Sequence, residues 1–143
     1  MLKNIDPLLN ADLLHVLAAM GHGDDIALVD RNFPATANAR RLIRLGGIDV
    51  VAAGRAILSV FPLDSFVDHP VMRMQIVGKP DDVPPVQQDF QKVVDAAEGR
   101  AWPMGSMERF AFYEATRQAF AVVATGESRP YGCFLLKKGV IFD

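Results

Sequence analysis

The stretch MGHGDDIALVD, residues 20–30, decides the fold of this chain. Its four apolar residues, 26–29, lie between acidic residues, which predicts a short buried strand that ends at Asp30. The glycine that precedes this strand predicts the end of a helix. Helices that alternate with short apolar strands are typical of α/β proteins, and the same alternation continues along the rest of the chain.

The pattern outward from this stretch predicts four helices and four strands. On the amino-terminal side, Asn10 is expected to cap a helix that places Leu13, Leu17 and Met20 on one face, and Gly21 is expected to end it as a C′ glycine. The other predicted helices are 50–61, capped by Asp49 and ended by Pro62, then 86–97, and 106–120, capped by Ser106. The other predicted strands are 71–77, 121–125 and 134–136, with loops at 30–36, 78–85 and 126–132.

The chain is expected to form one domain over residues 1–143, because that length is typical of single domains and no internal repeat interrupts it. We predict a three-layer α/β domain in which a mixed sheet is flanked by helices.

The charge and the hydrophobic content of the chain argue against two classes of protein. Fifteen Lys and Arg against 17 Asp and Glu give a net charge of −2, which argues against a nucleic-acid-binding protein. Hydrophobic residues make up 50% of the chain and charged residues 22%, which argues against disorder. So little charge leaves two interpretations open: a densely packed monomer, or a subunit that buries apolar surface against its neighbours.

Cysteine content and apolar run length give further expectations. The single cysteine, Cys133, excludes an intramolecular disulfide framework and a multi-cysteine zinc site. The apolar runs are too short to cross a bilayer, and Asp6 and Pro7 interrupt the region where a signal peptide needs an apolar core. We therefore expect a cytoplasmic protein with no membrane partner.

His22 is a candidate acid–base residue. It lies between Gly21 and Gly23, so its imidazole has no bulky neighbours in sequence and can face an open cleft. Histidine exchanges protons near neutral pH, which suits general acid–base catalysis. The alternative is a helix cap, in which a protonated His22 bonds the last carbonyl groups of the preceding helix. The spacing alone leaves both interpretations open.

Asp30 is a candidate ligand-binding residue, because the carboxyl ends of strands are where open α/β sheets hold their ligands. Its carboxylate is expected to accept hydrogen bonds from ligand hydroxyl groups or to orient His22. The alternative is a turn residue that bonds its own loop backbone. Neither His15 nor His69 has ligand-like spacing with His22, so the sequence predicts no metal site.

Several ordered blocks together resemble a known family. They are residues 20–24 (MGHGD), 30–34 (DRNFP), 109–114 (RFAFYE), 125–127 (TGE), 131–132 (YG) and 135–139 (LLKKG). Over nearly the whole chain they are similar to the family of sugar mutarotases and pyranases, which includes L-fucose mutarotase and D-ribose pyranase. Blocks 109–114 and 125–127 resemble the L-fucose mutarotase branch in particular.

The resemblance implies an isomerase that interconverts the α and β anomers of a free monosaccharide, L-fucose above all, with no metal and no organic cofactor. It implies that His22 is the catalytic histidine. It implies that the substrate-binding residues are Asp30, Arg109, Tyr131, Gly132 and Cys133. It also implies a ring-shaped homo-oligomer, a decamer, with active sites where neighbouring subunits meet.

Cys133 departs from the family pattern, which usually has Asn at this position. An amide both donates to and accepts from sugar hydroxyl groups, whereas a thiol is a weak partner in either role. Two alternatives therefore stay open: a non-catalytic monosaccharide-binding or regulatory module, and a mutarotase or pyranase for ribose or another sugar. Without the resemblance, Arg109 is interpreted as the partner in a surface ion pair at the start of a helix.

Overall fold

The computed structural model describes residues 1–143 and contains five helices and six strands. The helices are α1 (Ala11–Ala19), α2 (Ala35–Asn38), α3 (Val50–Leu58), α4 (Pro85–Glu98) and α5 (Arg109–Gln118). The strands are β1 (Asp25–Val29), β2 (Leu42–Leu45), β3 (Val71–Met74), β4 (Gly105–Met107), β5 (Ala121–Thr125) and β6 (Phe134–Lys137). None of the helices, including the 14-residue α4, combines the length and apolar character that crossing a membrane requires.

All six strands form one mixed sheet in the order β2-β5-β1-β6-β3-β4. The strands β1, β5 and β2 are parallel to one another, and β3 is parallel to β4. β6 is antiparallel to both of its neighbours, β1 and β3, so it runs against the other five strands. Five strands therefore end at one edge of the sheet, and β6 begins there.

Successive side chains along β1 point to opposite faces of the sheet, so they lie in two different hydrophobic cores. Ile26 and Leu28 point into a core of 26 buried residues beneath α1, α3 and α4. Ala27 and Val29 point to the opposite face, into a smaller core of 10 buried residues beneath α2 and α5. Burial on both faces explains why residues 26–29 form an uninterrupted apolar run. The predicted three-layer α/β architecture with a mixed sheet is confirmed.

The start of α1 is as predicted, and its end is not. The Asn10 side chain accepts a hydrogen bond of 2.9 Å from the backbone N–H three residues on. Gly21 does not adopt the left-handed backbone expected of a C′ glycine; instead the chain becomes extended at Met20. The Nζ atom of Lys138 donates to the carbonyl oxygens of Leu17 (2.8 Å) and Met20 (2.6 Å), and so caps the end of the helix.

The prediction that Ser106 caps a helix over 106–120 is wrong. Ser106 lies inside β4, which pairs with β3. Glu108 caps α5 instead: its carboxylate accepts hydrogen bonds of 2.8 and 3.1 Å from the first N–H groups of the helix, those of Phe110 and Ala111. β4 was missed because glycine and serine have low strand propensity, so only the pairing with β3 identifies it.

Other element boundaries differ by length. The strand predicted over 71–77 ends at Met74, and the helix predicted over 50–61 ends at Leu58. Three short elements, α2, β2 and β4, were not predicted. The predicted helix 86–97 and the predicted strands 26–29, 121–125 and 134–136 match α4, β1, β5 and β6 to within one residue at each end.

We expect Phe90→Ala to lower the free energy of unfolding by about 3–5 kcal/mol, because the change leaves a cavity in a packed core. The rings of Phe90 and Phe134 are fully buried and stack at a centroid distance of 3.8 Å. Thermal unfolding followed by circular dichroism measures the loss as a lower midpoint. The exposed loop residue Val83, changed to alanine, is the control that keeps the midpoint. An unchanged midpoint for Phe90→Ala would contradict this description of the core.

Candidate functional site

The sheet separates the predicted site residues into two groups at opposite ends of the β1–β6 pair. Asp30 follows β1, and Tyr131, Gly132 and Cys133 precede β6, so these residues lie together. His22 precedes β1 and lies at the other end. The ends of a five-residue strand are about 13 Å apart, which is more than an imidazole side chain spans. Within one chain, His22 is therefore remote from the other predicted site residues.

A cavity of about 220 Å³ opens at the edge of the sheet where β1 ends. We call it the carboxyl-end cleft. It is lined by Asp30, Asn32, Phe33, Met74, Arg109, Tyr113, Pro130, Tyr131 and Cys133. The lining therefore combines a carboxylate, a guanidinium group and two phenol hydroxyl groups. Such a set can accept from and donate to several hydroxyl groups of one small polar ligand.

Asp30 is held in place within the cleft, where 6% of the residue is exposed. Its Oδ1 accepts the backbone N–H of Asn32 at 3.0 Å, and its Oδ2 accepts the thiol of Cys133 at 3.4 Å. Burial, followed by the charge of Asp30, raises the pKa of Cys133 well above its ordinary value, so the thiol stays protonated and donates. Each carboxylate oxygen keeps a lone pair for a ligand hydroxyl group.

Arg109 begins α5 and is exposed at the rim of the cleft. Its Nε donates to the hydroxyl of Tyr113 at 3.0 Å, and this bond is the main reason that its pKa lies above the ordinary arginine value. The terminal nitrogens of the guanidinium group make no hydrogen bond within the chain. The surface ion pair considered for Arg109 does not form, and its fork of donors is available to a ligand.

Tyr131 has a left-handed backbone, with φ of 64°, which is unfavourable for a residue with a side chain. The fully buried Gln87 on α4 holds it there: its Nε2 donates to the carbonyl oxygens of Tyr131 (3.0 Å) and Met74 (2.7 Å). The Oε1 of Gln87 accepts from Arg73 at 3.2 Å. The Tyr131 hydroxyl accepts the N–H of Val77, so its own hydrogen is free to donate to a ligand.

The block 125–127 anchors the loop that carries Tyr131. The Glu127 carboxylate accepts the N–H of Val50 at the start of α3 and both the N–H and the Nε of Arg129. Burial alone would raise the pKa of Glu127, but these hydrogen bonds outweigh it and lower the pKa. Gly126 lies against the backbone of Gly47, where a Cβ would be 2.7 Å from the Gly47 nitrogen. The block is therefore structural.

Gly132 does not line the cleft. It faces Glu127 and Val86, and a Cβ at this position would lie 2.9 Å from the Cγ of Glu127. Its small size lets the loop pack against α4 just before β6 begins. This packing places Gly132 behind the cleft.

His22 lies on the opposite edge of the sheet, in a different setting. Its Nε2 is 3.1 Å from Oδ1 of Asp64, whose side chain is 4% exposed, while the His22 side chain is 47% exposed. The ring of Phe66 packs on the imidazole at a centroid distance of 5.3 Å. Two predictions about His22 are wrong within the chain. Lys138, and not His22, caps α1. The carboxylate that contacts His22 is Asp64, and not Asp30.

A broad apolar surface surrounds His22. We call it the His22 face; it comprises the lining of a cavity of about 590 Å³ together with Phe66 and Phe142. Its exposed large hydrophobic residues are Val60, Phe66, Val140, Ile141 and Phe142. The rings of Phe66 and Phe142 contact each other at 6.2 Å. Exposed apolar side chains clustered in this way indicate a surface that interacts with another molecule.

Comparison with known proteins identifies the chain. A family model described as the RbsD / FucU transport protein family matches residues 3–141. The chain belongs to this family.

Similar proteins match the chain over nearly its whole length. The L-fucose mutarotase of Histophilus somni (strain 2336) is 40% identical over 140 residues, which is 98% of this chain and 97% of that protein. Protein Atu2016, known from a crystal structure, has 52% sequence identity to this chain and a TM-score of 0.96. The match covers 99% of this chain and 97% of that one. The fucose mutarotase from Streptococcus pneumoniae, whose crystal structure is in complex with L-fucose, has 37% sequence identity and a TM-score of 0.91. The match covers 99% of this chain and 100% of that one.

The predicted membership of the mutarotase and pyranase family is thus confirmed, as is the similarity to L-fucose mutarotases. Tyr113 lines the cleft and lies in block 109–114, but its side chain was not predicted there. Asp64 and Phe66, which contact His22, were not predicted either. An aromatic residue in a helix, such as Tyr113, and an aspartate and a phenylalanine in a loop, such as Asp64 and Phe66, carry no local signal of a ligand site. Only the folded chain brings Asp64 to His22, from 42 residues away.

We expect Gln87→Leu to destabilise the protein by about 2–4 kcal/mol, because it leaves the buried carbonyls of Met74 and Tyr131 without donors. Chemical unfolding measures the loss. The neighbouring Gln88 is exposed on the same helix, so Gln88→Leu is the matched control and is expected to change stability by less than about 0.5 kcal/mol. Equal effects of the two changes would contradict the role assigned to Gln87.

Proposed function

We propose that the protein is a sugar mutarotase that interconverts the α and β anomers of L-fucose. The observation that carries the proposal is the carboxyl-end cleft, where Asp30, Arg109 and Tyr131 surround a cavity of about 220 Å³. Support comes from the scaffold, which is shared over its full length with fucose mutarotases. The cytoplasmic location stays a prediction.

The chemistry suits these residue types. Anomer exchange removes the proton from the anomeric hydroxyl group and delivers a proton to the ring oxygen, so that the bond between C1 and the ring oxygen breaks. The resulting aldehyde rotates about the bond from C1 to C2, and the ring closes on its other face. We assign proton transfer to His22, hydrogen bonding of sugar hydroxyl groups to Asp30 and Tyr131, and sugar binding to Arg109.

The rate demand on the protein is modest, because free sugars already exchange anomers in water. One well-placed acid–base group supplies about 10²–10⁴-fold, and positioning of the sugar supplies more. A histidine and a set of fixed hydrogen-bond partners are therefore sufficient for the proposed reaction.

We further propose that each active site forms between two copies of the chain, with His22 from one copy and the carboxyl-end cleft from its neighbour. In this arrangement His22 of one copy lies beside Asp30 of its neighbour, although the two residues are remote from each other within one chain. The two surfaces lie at opposite edges of the sheet, so their pairing is head to tail. Head-to-tail contacts form a ring when the rotation between neighbours closes on itself. The decamer implied by the sequence resemblance is consistent with rings of this kind.

The apolar surfaces support this assembly. The His22 face exposes Phe66, Ile141 and Phe142, and the rim of the cleft exposes Phe110 and Val77. Pairing the two would bury both sets of side chains around the sugar and exclude water from it. It also accounts for the low charge and high apolar content of the chain.

Cys133 bears on the alternatives. Its thiol is buried, with 2% of the residue exposed, and acts through Asp30. A change from the usual Asn therefore alters how Asp30 is held, which favours altered sugar preference over loss of the pocket. A non-catalytic sugar-binding module remains the second candidate: it predicts sugar binding without anomer exchange.

The proposed function predicts faster exchange between the α and β signals of L-fucose in saturation-transfer NMR. D-ribose and D-galactose, measured beside it, report sugar preference. Exchange at the buffer rate for all three sugars would contradict the mutarotase proposal, and calorimetric binding of L-fucose without exchange would favour the binding module.

His22→Ala is expected to abolish the acceleration while the circular dichroism spectrum and unfolding midpoint stay near those of the wild type, because the side chain is half-exposed. Acceleration that survives in this variant would remove His22 from the mechanism. Sedimentation tests the assembly: a mass near that of one 15.7 kDa chain at working concentration would contradict the shared site.

A further inference from the structure

We propose that a cavity beside α4 binds the oxyanion group of a small ligand, a phosphate or a carboxylate, through the guanidinium group of Arg73 and the ammonium group of Lys92. The cavity has a volume of about 480 Å³, and we call it the Arg73 cavity. It shares no lining residue with the carboxyl-end cleft or with the cavity of the His22 face. The proposal therefore does not depend on the proposed function.

The Arg73 cavity lies between α4 and the part of the sheet that α4 covers. Arg73 projects into it from β3, and Met104 borders it from the segment before β4. Gln88, Gln91 and Lys92 lie at positions i, i+3 and i+4 of α4, so they share the face of the helix that lines the cavity. The lining contains two cations and no Asp or Glu, so its net charge is positive.

Arg73 is a buried cation without a carboxylate partner. The residue is 8% exposed, and none of the five ion pairs of the chain includes it. Its terminal nitrogens donate to the side-chain oxygen of Gln87 at 3.2 Å and to the backbone carbonyl oxygens of Pro80 (3.2 Å) and Asp82 (3.4 Å). These neutral acceptors satisfy N–H groups but leave the positive charge uncompensated, and such a charge is costly to bury.

One donor of the Arg73 guanidinium group is open. Its Nε makes no hydrogen bond within the chain. Because no fully buried side-chain nitrogen or oxygen in the chain lacks a partner, this unbonded Nε is accessible to solvent. The rest of the residue is buried where it borders the cavity, so the cavity is the route to this N–H group. Guanidinium N–H groups form strong, charge-assisted hydrogen bonds with phosphate and carboxylate oxygens.

Lys92 supplies the second cation. Its side chain is exposed, and it takes part in none of the ion pairs of the chain. It also borders a neighbouring cavity that contains the carboxylates of Asp49 and Asp89. Both carboxylates have partners of their own: Asp89 pairs with Arg129 at 2.8 Å, and Asp49 caps α3. The ammonium group of Lys92 is therefore free to pair with an anion.

The wall of the Arg73 cavity is already fixed by hydrogen bonds. Nε2 of Gln91 donates to the Asp95 carboxylate and to the carbonyl oxygen of Trp102, both at 2.8 Å, and its Oε1 accepts the N–H of Met104 at 2.9 Å. A preformed site loses little conformational entropy when a ligand binds. The volume lies within the range of about 300–1,000 Å³ that small-molecule pockets occupy, so a ligand larger than a bare anion fits.

Isothermal titration calorimetry of the full-length protein tests the site. The probes are inorganic phosphate and acetate at constant ionic strength, with chloride as the blank. We expect saturable binding of phosphate at one site per chain, tighter than that of acetate, because phosphate carries more negative charge toward two cations. Tighter binding of acetate would support the site and assign it to a carboxylate ligand. No saturable binding of either probe at millimolar concentration would overturn the proposal.

Two variants locate the binding. Arg73→Lys keeps the charge but removes the Nε–H group and the fork of donors, so we expect phosphate to bind about 10- to 100-fold more weakly. Lys92→Gln removes an exposed charge, and we expect binding about 2- to 5-fold weaker. Because Lys92 is exposed, this variant is expected to keep the wild-type melting temperature, and it tests the site independently of how well Arg73→Lys folds.

Lys3→Gln is the matched control. It removes the same charge from an exposed lysine near the amino terminus, outside the Arg73 cavity, and we expect phosphate to bind as tightly as to the wild type. Equal weakening in Lys92→Gln and Lys3→Gln would show general attraction to positive charge and would overturn the proposal. Wild-type affinity in a folded Arg73→Lys variant would overturn it as well.

Discussion

The antiparallel pairing of β6 with β1 is the constraint on which the rest of the structure depends. Because β6 runs against β1, its first residues lie beside the carboxyl end of β1 and its last residues beside the amino end. Asp30 and Tyr131 therefore meet at one edge of the sheet, and His22 and Lys138 meet at the other. Both strands lie in the middle of the sheet and contribute buried side chains to both cores. The pairing that folds the domain therefore also separates the two groups of residues.

Buried polar residues set the geometry of both groups. Gln87 holds the left-handed backbone of Tyr131, Glu127 ties the loop before it to α3, and Asp64 bonds His22. Each is almost inaccessible to solvent and joins segments distant in sequence. A buried polar group without partners is costly, so these bonds specify one arrangement of the loops. The residues of the carboxyl-end cleft and His22 are therefore held by buried groups that line neither cavity.

Local sequence patterns predicted the elements that short apolar runs specify, but not contacts between residues distant in sequence. The apolar run 26–29 predicted β1, and its position before Asp30 predicted the edge of the sheet at which the carboxyl-end cleft opens. The family blocks added Arg109, which no pattern of spacing singles out. Asp64 and Gln87 could not be predicted, because an aspartate after Pro62 and a glutamine in an amphipathic helix have ordinary sequence surroundings. Ser106 was misplaced for the same reason: only its pairing with β3 shows that it lies in a strand.

In the proposed active site, one copy supplies His22 and its neighbour supplies the cleft. Co-expression of His22→Ala with Asp30→Ala chains, carrying different tags so that mixed oligomers can be isolated, tests this most directly. Random mixing pairs an intact His22 with an intact cleft at about one quarter of the head-to-tail sites, so mixed oligomers are predicted to recover about a quarter of wild-type L-fucose exchange. Mixed oligomers as inactive as either parent would contradict the claim.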